Sequence, residues 1–146
     1  MLKEKLMEDL KIAMREKDEV RKSTVTLIKA AILQVEIDTQ TQLDDNAIIE
    51  IIAKEAKKRK DSLADYEKSG REDLISQINS EIAVIKEYLP EELSVEELTK
   101  IIEETIAEVG ASSIKDMGKV MQAVKAKTTG RADGRTINEI VKKLLG

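Results

Sequence analysis

The stretch Ile85-Lys-Glu-Tyr-Leu-Pro-Glu-Glu-Leu-Ser-Val-Glu-Glu-Leu98 holds both a helix stop and a helix start. Pro90 is the only proline in the chain. It disfavours helical geometry in the residue before it, so a helix arriving from upstream should end at about Tyr88-Leu89. Ser94 and Glu97 then have the spacing of a capping box, in which a hydroxyl and a carboxylate satisfy each other's backbone N–H groups at a helix start. The helix so begun carries Leu98, Ile101, Ile102, Thr105 and Val109 on one face and is closed by Gly110. The chain is therefore read as two helical domains, residues 1–90 and 91–146.

Upstream of the boundary, apolar residues recur every three or four positions. Leu2, Leu6, Leu10, Ala13 and Met14 define a first helix that should stop near Lys17-Asp18. Val25, Ile28, Ile32 and Val35 define a second. Its segment Thr24-Val-Thr-Leu-Ile28 is β-branched enough to suit a strand, but the length of the pattern favours helix. Asp44 or Asp45 is placed to cap a third helix with Ile48, Ile52, Ala56, Leu63 and Tyr66 on one face and Gly70 as its stop. A fourth carries Leu74, Ile78, Ile82, Ile85 and Leu89. Beyond the fifth, capped helix, Asp116 is expected to cap a sixth with Val120, Met121 and Val124. Thr136 with Glu139 repeats the capping-box spacing before Ile137, Ile140, Val141, Leu144 and Leu145. The fold expected is all-α, a four-helix portion followed by a small three-helix portion.

Composition agrees with this pattern and removes whole classes of chemistry. The chain has 146 residues, is 37% charged, and contains two tyrosines but no Phe or Trp, so its core must be built from aliphatic side chains. There is no histidine and no cysteine. That removes the commonest general base, the Ser-His and Cys-His nucleophile pairs and the usual zinc sets, so no metal, no cofactor and no catalytic residue is expected. The missing cysteines suit a reducing compartment, and a cytoplasmic protein is expected. The first ten residues mix acids and bases at helical spacing and lack the apolar run of a signal peptide. No later run approaches the roughly 20 apolar residues that cross a bilayer, so no membrane partner is expected.

Charge is unevenly distributed. Residues 72–109 hold two Lys or Arg against eleven Asp or Glu, whereas residues 110–146 hold eight against three. The basic run Lys57-Lys-Arg-Lys60 lies on a helix whose successive positions point about 100° apart, so it reads as a solvated face and not as a patch. Paired acids such as Glu96-Glu97 and Glu103-Glu104 read as a polar helix face. Gly118-Lys119 is not a phosphate loop: Ser113 stands where the first glycine belongs, and Val120 stands where a hydroxyl should hold magnesium.

The most informative stretch is Gly130-Arg-Ala-Asp-Gly-Arg135, two glycines and two arginines just before a capped helix whose free N–H groups favour an anion. The same stretch reads as well as a helix–helix turn, with glycines relieving backbone strain and Asp133 pairing with a neighbouring arginine.

Asp116-Met-Gly-Lys-Val-Met121, Gly130–Arg135 and Ile140-Val141 together resemble the YqeY family, and the likeness includes Tyr88-Leu89-Pro90 and the Gly110-Ala111-Ser112 loop. That family shares its domain with the tail of the B subunit of the glutamine-dependent aspartyl/glutamyl-tRNA amidotransferase. The resemblance implies a tRNA-handling module without the active site of the carbon–nitrogen ligase. Joined to the local charge, it gives the leading expectation: structured RNA, above all tRNA, held at its sugar-phosphate backbone by Lys119, Lys125, Lys127, Arg131, Arg135, Lys142 and Lys143. With almost no aromatic rings to stack on bases, recognition would read shape and phosphates. The competing expectation is a protein-interaction adaptor that docks onto an amidotransferase or aminoacyl-tRNA synthetase through a surface such as the residue 94–109 helix. An independent enzyme is the least favoured reading.

Overall fold

A computed structural model describes residues 1–146 as seven α-helices and no strands, so the protein is all-α. The chain divides into two compact units, Met1–Leu89 and Pro90–Gly146.

The first unit contains α1 (Leu2–Glu16), α2 (Glu19–Thr39), α3 (Asp45–Ser69) and α4 (Glu72–Lys86). Leu6, Val25, Ile28, Ile48, Ile52 and Ile85 are fully buried where the four helices meet, and Tyr88 is the one aromatic ring in that core. The segment that could have been a strand is the middle of α2, because Thr24, Val25, Ile28 and Ile32 all fall on its buried side. Local chemistry sets the ends. Lys17 takes the left-handed conformation (φ 60°) to end α1, and Asp18 accepts a hydrogen bond from the Arg21 N–H to start α2. Of the two candidates for the α3 cap, Asp44 is the one used, its carboxylate accepting from the Ala47 N–H at 2.9 Å. Gly70, also left-handed, ends α3.

The helix α4 stops at Lys86, earlier than Pro90 alone requires. The next turn tightens: the Tyr88 N–H donates to the Ile85 carbonyl at 3.0 Å and the Leu89 N–H to the Lys86 carbonyl at 3.2 Å. These are three-residue bonds of the kind that end many helices. The turn carries Tyr88 into the core, where its hydroxyl donates to Asp9 at 2.5 Å. Burial, first, and that carboxylate, second, push the Tyr88 phenol well above its ordinary pKa.

The second unit contains α5 (Val95–Val109), a 3-10 turn at Ile114–Asp116, α6 (Met117–Lys127) and α7 (Gly134–Leu145). Leu98, Ile102, Val120, Val124, Ile137 and Val141 form its core. The capping box at Ser94 and Glu97 is present in full, and Gly110 (φ 68°) closes α5. The other two expected caps are corrected. Asp116 stands at the N-cap position of α6, as expected, but its side chain makes no cap bond, because its carboxylate turns back to accept the Ser112 N–H at 3.0 Å and holds the preceding loop. Thr136 lies inside α7, and its expected role belongs to Asp133, which accepts from the Arg135 N–H at 3.1 Å. No helix of the protein is long and apolar enough to cross a membrane.

Thr24 is fully buried and its hydroxyl has no hydrogen-bond partner. A buried unsatisfied hydroxyl costs on the order of 1–3 kcal/mol, so the isosteric change Thr24→Val should raise unfolding free energy by about 1 kcal/mol in urea titration. In the second unit, Asp133→Ala should cost about 1 kcal/mol by loss of the α7 cap. Thr136→Ala, inside the helix, should leave stability unchanged or slightly raised. A larger loss at Thr136 than at Asp133 would contradict the observed cap.

Candidate nucleic-acid interface

The seven cations expected to hold RNA all lie in the second unit, but they are not equivalent. Lys127, the last residue of α6, is turned against α5. Its ammonium donates to Glu108 at 2.6 Å and to the Thr105 hydroxyl at 3.0 Å. Thr105 is itself fully buried, and its hydroxyl donates to the Ile101 carbonyl at 2.7 Å. Lys127 therefore fastens α6 to α5 and its charge is matched. Reading Thr105 only as part of the apolar face missed this pairing, although a hydroxyl on a buried stripe requires a polar partner.

Arg131, in the loop before α7, is half-buried. Its guanidinium Nε donates to the Glu91 carbonyl at 3.0 Å. Its backbone carbonyl accepts from the Leu93 N–H at 2.9 Å, and its own N–H donates to the Thr128 carbonyl at 2.8 Å. Arg131 thus clips the loop between α6 and α7 to the segment leading into α5. Gly130 just before it has φ 73°, a left-handed conformation that glycine adopts without steric cost. Asp133 does not pair with an arginine side chain; its carboxylate takes a backbone N–H.

The remaining cations are exposed: Lys119, Lys125, Arg135, Lys142 and Lys143. Lys119 lies close enough to Asp116 to help hold that carboxyl below the usual range, an effect due first to the Ser112 N–H. The Lys125 side chain crosses to the start of α7, where its Cε lies 3.7 Å from the point a Cβ on Gly134 would occupy. Arg135 stands next to Gly134 in the first turn of α7, and Lys142, seven residues on, returns to the same face of that helix. Arg135 has 85% of its side chain exposed, and its approach to Glu139 is a long 3.8 Å. An exposed pair of that kind contributes only about 0.3–0.5 kcal/mol and leaves the guanidinium free to change partners. The fold thus sets Arg135 and Lys142 on one face of α7, brings Lys125 to the start of that helix, and gives Lys127 and Arg131 hydrogen-bond partners of their own. Lys143, one position from Lys142, points about 100° away from it.

The first turn of α7 also presents backbone N–H groups with the positive end of the helix dipole behind them. That positive end already faces the Asp133 carboxylate, which takes the Arg135 N–H. No group of three or more Asp or Glu residues is placed to hold a metal ion.

A family model described as "Yqey-like protein" matches residues 3–145. The chain belongs to the YqeY family. This YqeY chain is 41% identical over 85 residues to the Lachancea thermotolerans protein named "Altered inheritance of mitochondria protein 41, mitochondrial", covering 58% of the chain and 46% of the relative. It is 38% identical over 84 residues to the Kluyveromyces lactis protein of the same name, covering 57% and 45%. The chain spans about half the length of these two relatives. A protein of that name from Pyrenophora tritici-repentis is 28% identical over 148 aligned residues, which cover 97% of the YqeY chain and 80% of the relative. These names overturn the cytoplasmic placement expected from composition, since the similar proteins are called mitochondrial. A chain without cysteine suits any compartment where disulfides are not needed and does not single out the cytosol.

Arg131→Ala should lower the unfolding free energy by about 1 kcal/mol through loss of a half-buried charge-assisted hydrogen bond. Arg135→Ala should stay within about 0.5 kcal/mol of the parent. Urea titration of each variant distinguishes a clip from a free surface cation.

Proposed function

We propose that this YqeY-family protein is a non-catalytic module that holds structured RNA, tRNA above all, by its sugar-phosphate backbone. The contact surface runs along α7 and is formed by Lys125, Arg135 and Lys142, with Lys119 and Lys143 at its margins. The observation that carries the reading is the sorting of cations in the second unit. Lys127 and Arg131 hold hydrogen bonds to other parts of the second unit, whereas Lys125, Arg135 and Lys142 have no strong partner to displace. Phosphate contacts supply affinity by releasing counterions, and this requires cations free to change partners. Any carbon–nitrogen ligation linked to such a module would take place on another protein, since this chain has neither histidine nor cysteine. Docking of a protein through the apolar side of α5 is the weaker reading: Leu98, Ile102 and Thr105 are buried in the core, leaving Val95 as the one large apolar side chain of that helix that is clearly exposed.

The test is binding of unmodified tRNA by fluorescence anisotropy across a salt series. The parent should bind with an affinity that falls steeply with salt. The triple change Lys125→Glu, Arg135→Glu and Lys142→Glu should weaken binding more than tenfold and reduce the salt slope by about three, roughly one for each phosphate no longer neutralised. The same far-ultraviolet circular dichroism for both proteins would show that folding is retained. Equal affinity in the folded triple variant overturns the assignment.

A further inference from the structure

The second helix, α2, has more apolar surface than the core uses. Val25, Ile28 and Ile32 face inward and are buried, whereas Ala30, Leu33 and Ile37 form a separate stripe at the three- and four-residue spacing of one helix face. Leu33 is 57% exposed and Ile37 61% exposed. Beside this stripe runs α1, with Met7 50% and Met14 57% exposed and seven residues apart. Between the two helices lies a concave groove of about 290 Å³, with Leu6, Met7, Ala30, Ile32 and Leu33 as its apolar lining. Scattered exposed apolar residues are ordinary, but several lining one concavity are the usual mark of a contact surface. Exposed methionines adapt to more than one partner shape.

The charges lining the groove leave one lysine without an acid. Its lining contains Lys3, Lys29 and one acid, Glu36. Glu36 is already committed: it accepts hydrogen bonds from the Lys3 ammonium and, at 2.9 Å, from the Leu43 N–H. Those two bonds, the lysine first, hold its carboxyl below the usual range. Lys29 has no such acid, Lys22 recurs one heptad before it on α2, and Lys11 follows Met7 by one turn on α1. The geometry points to a partner helix that is acidic and amphipathic, placing apolar side chains at i, i+3 or i+4 and i+7 into the α1–α2 groove and its Asp or Glu residues against Lys29 in the lining and, beyond it, Lys22 and Lys11. This surface lies in the first unit and is independent of the RNA reading.

The experiment is selection of a displayed library of helical peptides, with fixed apolar positions at that spacing and randomised flanking positions, against the full chain. The leading peptide is then measured by anisotropy. Enrichment of Asp and Glu in the flanks is expected. The affinity of the leading peptide should fall at least tenfold with Leu33→Asp and, separately, with the double change Lys22→Glu and Lys29→Glu. The second variant alters only surface charge and keeps the test decisive should Leu33→Asp impair folding. No enrichment, basic or neutral flanks, or an affinity unchanged by the charge variant each overturns the proposal. Sedimentation showing a dimer abolished by Leu33→Asp, with no peptide bound, would assign the groove to a second copy. Cosedimentation with phosphatidylglycerol vesicles lost in Leu33→Asp, again with no peptide bound, would assign it to an anionic membrane.

Discussion

Pro90 constrains more of this molecule than its single occurrence suggests. Pro90 disfavours helical geometry at Leu89, and the turns between Lys86 and the proline are tightened, one of them carrying Tyr88 into an otherwise aliphatic core. After the proline, the irregular segment before Ser94 has backbone groups that no helix satisfies. Arg131 satisfies two of them, the Glu91 carbonyl through its guanidinium and the Leu93 N–H through its own carbonyl. The loop between α6 and α7 is thereby tied to the entry of α5, and the start of α7 is set. A surface that depends on where α7 begins therefore depends on how the chain recovers from Pro90.

Electrostatics in the second unit follows from the same ties. Pairing of Lys127 with Glu108 and Thr105, and the hydrogen bond of Arg131 to the Glu91 carbonyl, leave a smaller set of uncommitted cations than the eight Lys and Arg of residues 110–146. Removing a buried or half-buried cation from its partner leaves an uncompensated group and costs more than an exposed pair contributes. Lys125, Arg135 and Lys142 carry no such cost. The overall charge of −4 does not conflict with a local anion-binding surface, since screening confines each charge to a range of about 8 Å.

How much of this was legible in the sequence depended on the range of the interaction. Caps at Gly70, Ser94 with Glu97, and Gly110, and the α3 cap to within the pair Asp44-Asp45, were legible because each acts within a few residues of itself. Asp116 and Thr136 were misread for the same local reason: short polar side chains can bond in either direction along the chain, and only the loop geometry decides between them. The roles of Lys127 and Arg131 could not be read at all, because their partners lie 19 to 40 residues away. The second apolar stripe of α2 is present in the sequence, yet β-branched residues spread over two faces obscure where the core ends. Compartment was misjudged because it leaves no mark on packing.

The most direct test of the central claim, that RNA lies along α7, is ultraviolet crosslinking of the tagged protein in its native cells. Bound RNA is sequenced, and the crosslinked peptides are identified by mass spectrometry. Enrichment of tRNA is expected, with crosslinks in peptides spanning Lys125 to Lys143. Absence of RNA, or crosslinks confined to residues 1–89, would contradict it.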